Sequence, residues 1–231
     1  MKKLLYTFLA FGLFFSCSEN KKNDLDKANL NGEVKSVYTA SFEAIQKFGE
    51  VTIGDKKWEI DGGEDNKFIY DDKKNKIESL RYNKYGELTS KWKYKYDDKG
   101  NQIEVAVYDK NGELTSKGKS KHDDKGNEIG VVYYDNDGVL TLKSKFKYDD
   151  KGNQIEEAYY DKDGVLTLKW KYKYDDKGNE IEEKRFDKNN KLEEEKTYEY
   201  QFDANKNWIK RITVKDDKPT FIIKREIKYY D

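Results

Sequence analysis

The sequence predicts an all-β protein: an array of antiparallel β-hairpins forming an elongated, twisted or rolled sheet. Three observations predict it. Gly100, Gly126, Gly152 and Gly178 recur every 26 residues, and so do Gly86, Gly112, Gly138 and Gly164. Turn-forming phrases surround each of these glycines. Between the turns, apolar and charged residues alternate with period two. A fixed period in this range marks a repeat architecture.

The first element is an address. Residues 1–16 (MKKLLYTFLAFGLFFS) place two lysines before an apolar run too short to span a bilayer, and Cys17 follows. This pattern resembles a bacterial lipoprotein signal, in which the Cys becomes lipidated and N-terminal. The alternative is an ordinary secretory peptide with an incidental Cys. Cys17 is the chain's only cysteine, so no internal disulfide can form. Residues 17–32 (CSENKKNDLDKANLNG) are polar and lack aromatics, which predicts a flexible tether between lipid and domain. Acidic and Lys residues soon after the Cys resemble surface-export signals of Bacteroidetes lipoproteins.

Residues 33–70 do not repeat and predict an N-terminal cap, with a strand in VKSVYTASFEA and a Gly-rich loop near IDGGED. The repeat array follows at 71–202, and a C-terminal capping hairpin at 203–231. Irregular terminal units are what the ends of an array require.

Within the array the turns have a mechanism. Asp161-Lys162-Asp163-Gly164 offers an Asp to accept from backbone amides and a Gly to take positive φ, and Asp175-Asp176-Lys177-Gly178-Asn179 repeats the recipe. That is a type I turn with a left-handed Gly, a common hairpin connection. Lys74 and Asn190 replace the Gly at the two ends of the series.

The long strands, such as LTLKWKYKY at 166–174, put Leu166, Leu168, Trp170, Tyr172 and Tyr174 on one face and lysines on the other. The short strands, such as IEEAYY at 155–160, have mixed parity, because Ile155 and Tyr160 fall on opposite faces. One bulge would flip the register, so the sequence leaves it open. Lys on long strands and Glu on short ones can pair across strands, for about 0.2–1 kcal/mol each.

Charge and composition narrow function. The 231 residues hold 46 basic and 46 acidic side chains, so nothing predicts nucleic acid or anionic lipid as a main partner. Mean hydropathy is −1.14. Nineteen tyrosines, 11 phenylalanines and 4 tryptophans nevertheless argue against disorder. No catalytic residue is predicted. His122, the only histidine, stands where sister repeats hold Tyr96, Tyr148 and Tyr174, and reads as a substituted strand-end aromatic. Asp161-x-Asp163-Gly164 looks like the end of a calcium loop, but Trp170 stands where the closing Glu would be, so no metal and no cofactor are predicted. The remaining candidates are strand aromatics, Trp92, Tyr94, Trp170 and Tyr172, with Phe146 beside them. A core role is favoured, and a ligand-binding role stands next to it. The repeat at 114–122 loses its aromatics to Gly118 and Ser120, which predicts a gap, a bend or a binding notch.

The phrase YDDKGNQIEEAYYDKDGVLTLKWKYKYDDKGN (148–179) resembles YD repeats of the Rhs family. The opening EVKSVYTASFEAIQKFGE and the ending NWIKR…KREIKYY are similar to those of short YD-repeat lipoproteins of the Bacteroidetes type. MORN-type repeats are shorter, expect a Gly-rich strand pair and rank second. The resemblance covers about residues 33–230 and is informative on repeat type, not on activity. The repeat, the lipoprotein-like signal and the absence of a reactive constellation together predict a non-enzymatic lipoprotein of the bacterial cell envelope, an interaction or structural module at the outer membrane, facing the periplasm or the exterior. Its expected partners are the membrane through the lipid alone and an unknown protein or glycan. A carbohydrate-binding module using the strand aromatics is the alternative.

Overall fold

A computed structural model of the chain describes residues 22–56, 65–83, 85–124 and 126–230. The expected signal peptide and Cys17 lie outside them, as does most of the Gly-rich loop.

A single helical turn, α1 (Asp24–Lys27), precedes the strands. The strands run β1 (Val34–Lys47), β2 (Glu50–Lys56), β3 (Asp65–Tyr70), β4 (Lys76–Tyr82), β5 (Leu88–Tyr96), β6 (Gln102–Asp109) and β7 (Leu114–His122). They continue as β8 (Glu128–Asp135), β9 (Leu140–Tyr148), β10 (Gln154–Asp161), β11 (Leu166–Tyr174), β12 (Glu180–Asp187), β13 (Leu192–Phe202), β14 (Trp208–Lys215) and β15 (Lys218–Tyr229). Every pairing is antiparallel, and from β4 to β14 each strand pairs with both its sequence neighbours. The hairpin array expected from the turn spacing is therefore present.

The array is not an open sheet. β1 pairs with β3 through Ser36–Thr39 and with β15 through Val34–Glu43, so the first and last strands meet. All strands but β2 form the ring, making a closed 14-stranded barrel, with β2 hanging from the far end of β1. This corrects the elongated, twisted or rolled sheet. Strands of the two segments read as caps, 33–70 and 203–231, pair with each other along this seam. Each terminal unit offers an unpaired edge, and pairing the two edges satisfies both rows of backbone groups.

The turns follow the expected chemistry. At 149–153, Asp149 Oδ1 accepts from the amides of Lys151 at 3.0 Å and Asn153 at 2.8 Å. The Gly152 amide donates to Asp149 O at 3.0 Å, and Asn153 Nδ2 donates to Asp149 Oδ2 at 2.9 Å. The turn glycines, Gly86, Gly100, Gly112, Gly126, Gly138, Gly152, Gly164 and Gly178, have φ between 71° and 85°. Lys74 and Asn190 keep the same conformation, at 67° and 68°. Gly152 has φ +76°, so a Gly152→Val chain should lose about 1–3 kcal/mol of stability in urea unfolding. An unchanged midpoint would remove the left-handed requirement at that turn.

Bulges resolve the short strands. Lys147 pairs with Glu156 and Tyr148 with Gln154, so Ile155 is the extra residue. It faces outward beside Glu156. Gln154, Glu157 and Tyr159 then point inward, and Glu156, Ala158 and Tyr160 outward, which explains the mixed parity. The strand-end tyrosines serve the same device. Tyr148, Tyr174 and Tyr200 donate their hydroxyls to the carbonyls of Glu128, Gln154 and Glu180, at 2.6–2.8 Å, and the Tyr96 hydroxyl lies 2.7 Å from the carbonyl of Lys76. All four of those carbonyls immediately precede a bulge residue, Ile77, Ile129, Ile155 and Ile181.

Candidate functional site

The two faces of the barrel wall differ in kind. Outside, Lys93, Lys119, Lys145 and Lys171 form one exposed belt, and Lys95, Lys121, Lys147 and Lys173 a second. Lys95–Glu104, Lys147–Glu156 and Lys173–Glu182 pair across strands at 2.8, 2.8 and 2.9 Å. Outward rings are covered by lysines, as where Lys145 sits 4.8 Å from the centre of Tyr160 and Lys169 5.0 Å from Phe186. A lipid-facing barrel wall needs an apolar band, and each midplane Lys there costs about 2–4 kcal/mol. This wall is built for water.

Inside, the repeats diverge. One inward position holds Trp92, Gly118, Ser144, Trp170 and Lys196 in turn. The next holds Tyr94, Ser120, Phe146, Tyr172 and Tyr198. The candidate aromatics thus lie on the lumen face and already have partners. Trp170 meets Tyr159 edge-on at 5.6 Å, and Tyr172 donates to Glu157 at 3.1 Å. The Arg81 guanidinium lies 4.9 Å from the centre of Trp92, and the Tyr94 and Ser79 hydroxyls are 3.0 Å apart. Gly118 is not a notch. A Cβ there would meet Val105 and Val131 at 2.7 and 2.8 Å, so neighbouring side chains fill the space that its missing side chain leaves. His122 ends β7 opposite Glu128.

The lumen wall between β12 and β15 is charged. Lys196 pairs with Glu194 at 3.0 Å, and Lys215 reaches the same carboxylate at 2.6 Å. Arg211 is half-buried, donates to Tyr200 and lies 4.3 Å from the centre of Tyr198. Burial pushes the Glu180 carboxyl up to about 7, against the pull of Arg211, and its Oε1 is buried without a hydrogen-bond partner. Arg225 lies 3.3 Å from the centre of Trp208, with Nε and Nη1 buried and unpartnered.

One end of the barrel is covered by residues 22–31, which the sequence assigns to a flexible tether. They dock instead, for two physical reasons. Leu25 and Leu30 bury against Val34, Val37 and Tyr70. The polar residues find the row of turn asparagines. Lys22 donates to Asn153 at 3.1 Å and Asn29 to Asn179 at 2.8 Å. Asn207 accepts from the Asn31 amide at 2.7 Å and donates to its carbonyl at 3.0 Å. Asp24 accepts from the Tyr96 hydroxyl at 2.6 Å and the Lys76 amide at 2.9 Å. A capping box between Asn23 and Asp26 fixes the single helical turn of this strap. The strap covers a cavity of about 580 Å³, lined in part by Lys76, Gln102, Glu128, Gln154 and Tyr174.

Sequence reasoning missed the strap, Glu180, Arg211 and Arg225. The available signal was position-by-position divergence between repeats, and two leucines five residues apart in an otherwise polar segment.

No family model matches this chain. No curated protein matches it either. Among solved structures it is similar to a porin-like protein from Bacteroides uniformis, with 11% identity over 86% of this chain and 98% of that chain and a TM-score of 0.48. A porin-like protein from Bacteroides vulgatus is similar at 12% identity, covering 85% and 98%, with a TM-score of 0.38. The TcdB2-TccC3-Cdc42 structure aligns at 10% identity over 80% of this chain and 11% of that chain, with a TM-score of 0.31.

Proposed function

We propose that this chain is a non-enzymatic binding barrel of the bacterial cell envelope, a YD-repeat type lipoprotein tethered through Cys17, that works from inside its ring. One observation carries the reading: the repeats agree on the outer face and differ on the inner one. An outer wall of lysine belts supports a barrel held beside a membrane rather than in it. A lumen of mixed charge and aromatic rings suits a small polar molecule. A second reading, carbohydrate binding, draws on Trp92, Tyr94, Trp170 and Tyr172 together with the carboxylates of Glu157 and Glu183 on the same wall.

Two measurements test the proposal. The native chain should sediment with membranes, and Cys17→Ala should release it; a variant that still sediments discards the anchor. Purified native protein, once denatured, should yield one small molecule per chain, and its chemistry separates a sugar from other ligands. A chain that folds and yields nothing is a structural module.

A further inference from the structure

Arg225 presents a physical problem. A guanidinium does not give up its proton in a protein, so burying one requires an anion or a full set of acceptors. The neighbours acting on Arg225 supply little. Arg211 repels it, and Tyr70 and Tyr200 offer hydroxyls rather than carboxylates. Trp208 covers one face of the guanidinium at 3.3 Å. Nε and Nη1 remain buried without acceptors. Removing the partner of a buried charge is strongly destabilising, so a fold that keeps such a group needs a partner for it.

The space beside it has a definite shape. A cavity of about 170 Å³ is lined by Ala28, Leu30, Val37, Phe68, Tyr70, Lys76 and Arg225. Four of these side chains are apolar and two are cationic. Asp24, the carboxylate that acts on both Lys76 and Tyr70 in the cavity lining, is already occupied by the Tyr96 hydroxyl, the Lys76 amide and Lys27. The strap residues Ala28 and Leu30 form the lid of the cavity, and Val37 and Phe68 are paired neighbours on the wall at the closing seam. For scale, an engineered apolar cavity of about 150 Å³ holds a benzene.

We propose that this cavity is a binding site for a short-chain monocarboxylate. The carboxylate lies between Arg225 and Lys76, and a tail of three to five carbons lies on Leu30, Val37 and Phe68. Nε–H and the Nη1 on the Cδ side of the guanidinium point different ways, so one of these unpartnered donors takes a carboxylate oxygen in the cavity, and the apolar lining excludes water from the tail. Inorganic anions satisfy the charge and leave the apolar lining unused. The inference rests on the lumen reading given above and names its ligand class.

The test uses the full chain and four probes: pentanoate, its neutral isostere pentanamide, inorganic phosphate and chloride. Pentanoate should raise the melting temperature and give a saturable calorimetric signal. Pentanamide, phosphate and chloride should give neither at the same concentration. Arg225→Met, which keeps the bulk and removes the charge, should weaken pentanoate binding about tenfold or more. Should Arg225→Met fail to fold, Lys76→Met and the pentanamide comparison on the native chain carry the decision. A pentanamide response equal to that of pentanoate overturns the proposal, as does a response to phosphate or chloride alone, or no response to any probe. A chain deaf to pentanoate that still carries another stoichiometric small molecule loses this inference and keeps the lumen reading. A chain that is deaf to pentanoate and carries nothing loses both.

Discussion

A chain truncated after Lys215 should lose the monomeric barrel altogether. In a linear array, stability is a sum of units and neighbour contacts, and removing the last strand costs one unit. In this ring β15 is bonded on both sides, to β14 and to β1. Its removal leaves two facing edges of unpaired backbone, on β1 and on β14, together with exposed Ile212, Val37 and Phe42, whose register partners are Ile222 and Ile227. Ile222 is fully buried, at 0% exposure. Unpaired edges of this length pair with other chains. Light scattering after size exclusion should show aggregates or an expanded monomer, with the cooperative urea transition abolished. A truncated chain that elutes as a compact monomer and keeps a sharp transition would show that the ring is not the unit of stability.

The second large effect is electrostatic. The Glu180 carboxyl titrates near 4.5 in an unfolded chain and is pushed up to about 7 in the barrel by burial. Between those values the native state holds a proton that the unfolded state has lost. Stability therefore falls as pH rises through that window, and levels off above it. The lost stability is about 3 kcal/mol, at 1.36 kcal/mol for each pH unit of difference. Glu180→Gln fixes the neutral form and gives the unpartnered oxygen position no charge to bury. Its stability relative to the native chain should be near zero at pH 4 and higher by about that amount at pH 8. The comparison of the two chains isolates Glu180, because Arg211, Glu183 and Lys196, which also act on it, are present in both. Equal differences at pH 4 and pH 8 in urea unfolding would refute the assignment.

Local rules made much of this fold legible. The 26-residue period, the Asp-to-Gly turn and the alternation of LTLKWKYKY each concern contacts within one or two strands, and each is found as expected. Closure was not legible, because it depends on two terminal segments recognising each other without any repeat to mark them. The lumen was half legible. Trp92, Tyr94, Trp170 and Tyr172 share a parity, which placed them on one face, but parity does not say whether that face meets a ligand or its own wall. Arg225 and Glu180 were hidden for a different reason. In a chain with 46 acidic and 46 basic residues a charged letter carries little information, and only burial distinguishes these two from the rest. The phrase YDDKGN was legible as a turn and not as a dock, because the second task of its Asn depends on Lys22, Asn29 and their neighbours lying across the barrel end.

The β1–β15 seam also sets an order of events. Val34 and Tyr229 are register partners 195 positions apart, whereas the hairpins of the array close loops of a few residues. Loop-closure entropy grows by about 0.6 kcal/mol with each doubling of length, so the seam is the most expensive contact to form first and the natural one to form last. The chain thus passes through a ribbon of finished hairpins that becomes a tube in one late step, once its last strand has been synthesised. The strap spans from Lys76 and Tyr96 to Asn207, positions that an open ribbon would hold many strands apart, so the cavity beneath it comes into being as the final product of folding.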